Sequence, residues 1–122
     1  MKELGESKLH TAVINNKIGD VRKLINRGHP LDCRDNIGWT PLHEASNYGY
    51  TAIGELLIRS GANANIDSGD EGGMITPLMD AAGNGHLDFV RMLLRLGANI
   101  DKQNKNVIHV FFFHCVATRF SS

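Results

Sequence analysis

A chain of 122 residues, 42% of them apolar, has the core of one domain, and its net charge of zero argues neither for nor against a nucleic-acid partner. Its two cysteines, Cys33 and Cys115, show no C-x-x-C spacing, which excludes a disulfide framework and points to a reducing, intracellular compartment. No apolar run follows Met1–Gly5 as a signal peptide requires, and Val107–Ala117 is too short to span a bilayer, so no membrane association is expected.

In chain order, an inner helix is predicted from about Lys8 to Asn15, with Asn16 standing where Gly would end it. An outer helix follows through Val21, Leu24 and Ile25 to Arg27, and Gly28-His29-Pro30-Leu31-Asp32 turns the chain into an extended finger with Asp35 and Asn36 at its tip. Thr40-Pro41-Leu42-His43 is the start of the next inner helix. Thr40 supplies an N-cap hydroxyl, and Pro41 sits at the first helical position, where a missing N–H does no harm. Leu42 and Ala45 share the face expected to be buried, and Glu44 and Asn47 share a polar one. Gly49 is placed to end the helix in the left-handed conformation. Its outer helix carries Ile53, Leu56, Leu57 and Ile58, with Gly54 at an interior position where Val is expected. A helical Gly costs about 1 kcal/mol against Ala, so this helix is expected to be soft and Gly54→Val to stabilise it.

The next finger, Ile66–Met74, is longer and rich in Gly, Asp and Ser, as an acidic rim loop would be. Ile75-Thr76-Pro77-Leu78-Met79-Asp80-Ala81-Ala82 repeats the helix start and runs to Gly85. Phe89, Val90, Leu93 and Leu94 mark the third outer helix. Asp101–Asn104 opens the finger of a fourth repeat, and after Asn106 the pattern fails. The apolar tail 107–122 reads either as an improvised cap or as a truncated or mis-spliced end of a longer protein. The second is favoured, because solenoids end in polar-faced caps.

Leu9, Leu42 and Leu78 are separated by 33 and 36 residues, and each is followed 19 residues on by Gly28, Gly61 or Gly97. A period near 33 with a Thr-Pro-Leu-His signature is that of the ankyrin repeat. The expected fold is an all-α repeat solenoid with three helix-turn-helix repeats and β-hairpin-like fingers. The domain is placed at 5–106, with repeats at about 5–37, 38–73 and 74–106.

Charge is unevenly distributed. From Asp32 to Asp80 eight acids face two bases, leaving −6 there and +6 elsewhere. An acidic centre disfavours direct contact with nucleic acid and favours a basic partner. No paired general acid and base, nucleophile elbow or phosphate loop is present, so no catalytic residue, enzyme activity or cofactor is expected. His29 with Cys33, and His109 and His114 with Cys115, match no common zinc spacing, so no metal is expected. His10 and His43 occupy one repeat position and are expected to hydrogen-bond between adjacent repeats. Asp35, Trp39, Glu44, Asn47 and Asp80 are placed along one groove, a plausible cage for a lysine in an extended basic peptide. The alternative is that Trp39 packs on Tyr48 or a neighbouring finger, with the acids simply solvated.

The segment from Gly28 to Gly49 resembles the ankyrin domain of the Tonsoku-like family. The likeness rests on the Gly-His-Pro-Leu turn, on Gly-Trp-Thr-Pro-Leu-His-Glu-Ala followed by Asn-Tyr-Gly, and on a Gly- and acid-rich insertion before Ile-Thr-Pro-Leu. It extends from about Gly5 to Asn104. It implies a module that reads the histone H4 tail when a tail lysine is unmethylated, the state of newly replicated chromatin. It implies association with histone chaperones and repair factors, and work in the nucleus at damaged replication forks in support of recombination. By the same resemblance, Glu44, Asp80 and Asn47 would hold the lysine ammonium, Trp39 would pack on a tail histidine, and Asp35 would meet a more distant base. Met79 stands where the family has histidine, and Asn84 where it has cysteine. The competing expectation is a generic ankyrin adaptor for a non-histone protein, with the cytoplasm as an alternative location.

Overall fold

The computed structural model describes residues 7–69 and 73–98. Expectations for the finger of a fourth repeat and the tail 107–122 lie outside these residues. Six helices form three pairs: α1 (Lys8–Ile14) with α2 (Ile18–Asn26), α3 (Pro41–Tyr48) with α4 (Thr51–Arg59), and α5 (Pro77–Gly83) with α6 (Leu87–Arg95). The inner helices α1, α3 and α5 stack on one another in order, as do the outer helices α2, α4 and α6. No strand is assigned among the described residues. The fingers are turns: the first has backbone bonds from Asp35 N–H to the Trp39 carbonyl at 2.9 Å and from Gly38 N–H to the Asp35 carbonyl at 3.1 Å, and in the second Met74 N–H reaches the Gly69 carbonyl at 2.9 Å.

Local chemistry sets the helix ends. The Thr40 and Thr76 hydroxyls accept the N–H groups of His43 and Met79, and Ser7 does the same for His10. Gly49 ends α3 at φ 75°, a conformation that strains any side chain. It is needed twice, because a Cβ there would lie 2.6 Å from the His86 ring. Asn16 takes the same left-handed conformation at φ 56°, as its place in the repeat implies.

The repeats are joined by two equivalent histidines. His10 Nε2 lies 2.8 Å from the Trp39 carbonyl, and His43 Nε2 lies 2.7 Å from the Ile75 carbonyl. A carbonyl only accepts, so each Nε2 carries the proton. Each Nδ1 then accepts the backbone N–H of the capping residue, Ser7 at 3.2 Å and Thr40 at 3.1 Å. Both rings are fully buried and fully used. This meets the expectation of structural histidines bridging adjacent repeats. Met79 holds the same position in the third repeat and has no such donor.

Between the helices, Leu9, Leu42 and Leu78 occupy one repeat position and are buried, as are Ala12, Ala45 and Ala81 three residues on. The small alanines let the inner helices approach. Ile53, Leu57, Phe89, Val90, Met92 and Leu93 continue the core between α4 and α6.

Gly54 does not behave as the periodicity suggests. It is buried, and a Cβ there would lie 2.5 Å from Cε2 and Cζ of Phe89 and 2.9 Å from the Met92 methyl. Phe89 is itself fully buried. Gly54 is the hollow that receives the Phe89 ring, which corrects the view of it as a soft spot awaiting a valine. Overpacking costs about 1–3 kcal/mol, and this outweighs the helix gain of about 1 kcal/mol. Gly54→Val is therefore expected to lower the melting temperature, with Gly54→Ala intermediate. A thermal melt of the three proteins checks the order.

Burial holds the His43 pKa below its ordinary value of 6.5, although the Ile75 bond pulls it upward. In the window between the lowered folded value and 6.5, the unfolded chain binds a proton that the folded chain refuses. Stability should therefore rise with pH through that window and level off above it. Urea melts across this range should show the rise, and His43→Gln should flatten it.

Candidate functional site

The site begins at the first finger. Asp35 Oδ1 accepts three backbone N–H groups, from Ile37, Gly38 and Trp39, at 2.9–3.0 Å. Arg34 ties this finger to the next, donating to the carbonyls of Gly38 at 2.9 Å and Asp67 at 2.7 Å. Gly38 allows that approach, because at φ +105° its Cβ would overlap the Ser68 carbonyl. Trp39 emerges from this braced turn half-buried, its ring edge-on to His43 with centroids 5.0 Å apart. Tyr48, one of the two neighbours considered for Trp39, stacks on Tyr50 instead.

Glu44 lies in the first turn of α3, half-buried, where the helix dipole favours a carboxylate. Asn47 is exposed at the other end of α3, and His86 Nε2–H caps its carbonyl at 2.9 Å. Asp80 sits opposite on α5, half-buried. Asn84 joins the two helices. Its Nδ2 donates toward Asn47 Oδ1 at 3.2 Å, Asp80 Oδ1 at 3.1 Å and the Asp80 carbonyl at 2.9 Å. Ser46 Oγ lies 2.7 Å from the His43 carbonyl and 3.2 Å from Asp80 Oδ2.

Donors are scarce in this cluster. Ser46 offers one hydrogen and Asn84 Nδ2 offers two. They face five acceptors: the His43 carbonyl, both Asp80 carboxylate oxygens, Asn47 Oδ1, and the Asp80 carbonyl, which also takes the Asn84 backbone N–H at 3.1 Å. Burial raises the Asp80 pKa above its ordinary 3.8, and the bonds from Ser46 and Asn84 only partly offset this. The carboxylate is thus partly desolvated and held by neutral donors.

Of the five residues singled out in the sequence, the structure ties Asn47 to Asp80 through Asn84, and Asp35 to Trp39 through the finger. The Asp35 oxygen that accepts three N–H groups serves the turn itself. The sequence marks Asn84 only as a departure from a family pattern, and it does not mark Ser46. The signal for Asn84 is its i, i+4 spacing from Asp80 on one helix face.

Several acids of the central window serve the scaffold. Asp32 Oδ1 accepts the Asn63 N–H at 3.1 Å, and Asp67 Oδ1 accepts the Gly69 N–H at 2.9 Å. Glu55 bridges Arg59 at 2.8 Å and Arg95 at 3.0 Å on the outer helices. The basic charge gathers elsewhere, with Lys8, Lys17, Lys23 and Arg27 lining a cleft of about 320 Å³ between α1 and α2. His29 Nδ1–H and the Cys33 thiol both donate to the Pro30 carbonyl, at 2.8 and 3.4 Å. Among the described residues, no three His, Cys, Asp or Glu side chains gather as a metal site requires. No helix among them is long and apolar enough to cross a membrane.

Comparison with known proteins agrees with this architecture. SMC5-SMC6 complex localization factor protein 1 of Homo sapiens is 47% identical over 57 residues, 45% of this chain and 5% of that protein. Tonsoku-like protein of Bos taurus is 43% identical over 70 residues, 57% of this chain and 5% of that protein. Protein phosphatase 1 regulatory subunit 27 of Homo sapiens is 41% identical over 68 residues, 54% of this chain and 44% of that protein. The chain thus spans less than half the length of each of these relatives. The family model for ankyrin repeats, in three copies, matches residues 9–104. With the stacked helix pairs, this shows that the chain belongs to the ankyrin repeat family of protein-binding modules.

Proposed function

We propose that the groove between the first finger, α3 and α5 binds an extended basic peptide and reads one unmodified lysine in it. The observation that carries this is the half-buried Asp80 carboxylate, whose hydrogen-bond donors, Ser46 and Asn84, are uncharged. A lysine ammonium brings three hydrogens and a positive charge to a cluster whose side-chain donors are one hydroxyl and one amide. Asp80 and Asn47 would take the ammonium, with Glu44 adding negative charge from α3. Trp39 would offer a flat apolar wall to the neighbouring peptide side chain. Asp35 would draw a second base toward the finger.

The same chemistry gives selectivity. Each methyl group on the lysine removes a hydrogen and adds bulk. Partly buried acceptors would then stay unpaired, at about 1–3 kcal/mol each. A polar cage therefore rejects methylation, whereas a cage of several aromatic rings would welcome it. With the likeness to Tonsoku-like protein, the favoured ligand is the histone H4 tail with its lysine unmethylated, the form carried by newly made chromatin. The module would then serve a nuclear scaffold for replication-fork repair, alongside histone chaperones and repair factors. No enzymatic step and no direct contact with nucleic acid belong to this reading. A second reading, a generic adaptor for a non-histone protein, is favoured by the likeness to protein phosphatase 1 regulatory subunit 27.

Calorimetry with unmodified and dimethylated H4 tail peptides separates the two. The unmodified peptide is expected to bind at least tenfold more tightly, following about 1.4 kcal/mol or more from unpaired acceptors. Asp80→Ala and Glu44→Ala should each weaken binding by about 2 kcal/mol, the low end for a partly buried charge pair. Equal affinity for the two peptides, or no binding by the folded domain, leaves the adaptor reading.

Affinity should also fall on acidification. Asp80 must be ionised to hold a cation, and its raised pKa brings protonation on at a higher pH than for an ordinary aspartate. Titrations at decreasing pH should show the loss in the wild type. Asp80→Asn should bind weakly at every pH.

A further inference from the structure

The Asn84 side chain lies where the ligand's charge would go. Its Nδ2 faces Asp80 Oδ1, the Asp80 carbonyl and Asn47 Oδ1 at 3.1, 2.9 and 3.2 Å. All three neighbours of that nitrogen are oxygens, and two belong to a residue that can only accept there. The amide therefore presents its NH₂ end, and Asn47 answers with its carbonyl oxygen. A nitrogen donor ringed by three oxygens, one of them a carboxylate, is the environment a lysine ammonium requires.

We propose that Asn84 is a built-in competitor that occupies the ammonium position of the groove and must swing out before a lysine can bind. This rests on the lysine-reading function proposed above and adds its regulation. The Asn84 amide brings two hydrogens and no charge where an ammonium brings three and a positive charge, so it is an incomplete mimic. It quiets Asp80 and Asn47 in the free protein without matching a cation. The residue can move. It is exposed, it lies at the C-terminal end of α5, and its φ of −95° suits any residue. Its departure leaves α5 capped by backbone bonds, since the Asn84 N–H itself reaches the Asp80 carbonyl at 3.1 Å.

The opposite role would be positioning. There Asn84 would stay in place and hold Asp80 and Asn47 in the correct rotamers for the peptide. The two roles predict opposite signs. A competitor lowers affinity by the share of molecules in which it occupies the site, so its removal tightens binding. A positioning group raises affinity, so its removal weakens binding.

The test is peptide titration of the wild type and Asn84→Ala with the unmodified H4 tail peptide, alongside thermal melts of both proteins. Asn84→Ala is expected to bind roughly three- to tenfold more tightly, as loss of one or two exposed amide bonds implies. Binding by Asn84→Ala alone would support the competitor in its strongest form. Equal or weaker binding by a folded Asn84→Ala would overturn it and leave the lysine-reading groove standing. Binding by neither folded protein would remove both. A second measurement needs no variant. The side-chain NH₂ resonances of Asn84, followed by ¹H–¹⁵N NMR, should move toward solvent-exposed values as peptide is added. Resonances that keep their bonded positions at saturation would mean that Asn84 is not displaced.

Discussion

The hydrogen bond from a buried histidine to the carbonyl that precedes the next inner helix is the constraint on which the rest depends. It occurs twice, from His10 to Trp39 and from His43 to Ile75. Each ring is held at its other nitrogen by the cap of its own helix, so cap, ring and next finger form one continuous unit. A buried imidazole with both nitrogens paired avoids the penalty of an orphaned polar group, and it fixes register because no other placement pairs both. Trp39 inherits its position from this linkage. Its carbonyl takes the His10 bond, its ring rests on His43, and its finger is braced by Asp35.

Four of the eight acids in the middle of the chain have a local task. Asp32, Asp35 and Asp67 accept backbone N–H groups in finger turns, and Glu55 pairs with arginines on the outer helices. A count of charges along the sequence therefore overstates what is available to a partner. Asp80 differs from these. Its carboxylate is partly withdrawn from water and held by a shared hydroxyl proton and a neutral amide. A net field attracts many basic molecules, whereas a donor-poor cluster at fixed distances discriminates among cations by how many hydrogens they bring.

The fold was legible because its signals are local and repeated. Thr40, Pro41 and Gly49 each act within one turn of chain, and Leu9, Leu42 and Leu78 recur in register, so the caps, the helix end and the buried face follow from spacing. Gly54 was misread because a helix propensity is a single-helix quantity, and its cause lies in Phe89 on the next repeat. Asn84 was only half legible for the same reason. Its spacing from Asp80 is visible on one helix, but the third acceptor, Asn47, comes from α3. Asp35 shows a further case, where an Asp read from its place at a finger tip also braces the turn through one carboxylate oxygen, a role its spacing does not reveal.

The central claim is that the Asp80 cluster recognises the ammonium of one lysine. A double-mutant cycle tests it most directly, pairing Asp80→Asn in the protein with replacement of that lysine by norleucine in the peptide. Direct recognition predicts that the two losses overlap, with a coupling of about 1.5 kcal/mol or more, as measured for close charge pairs across interfaces. Losses that simply add, to within about 0.5 kcal/mol, would contradict it and place the lysine elsewhere on the surface.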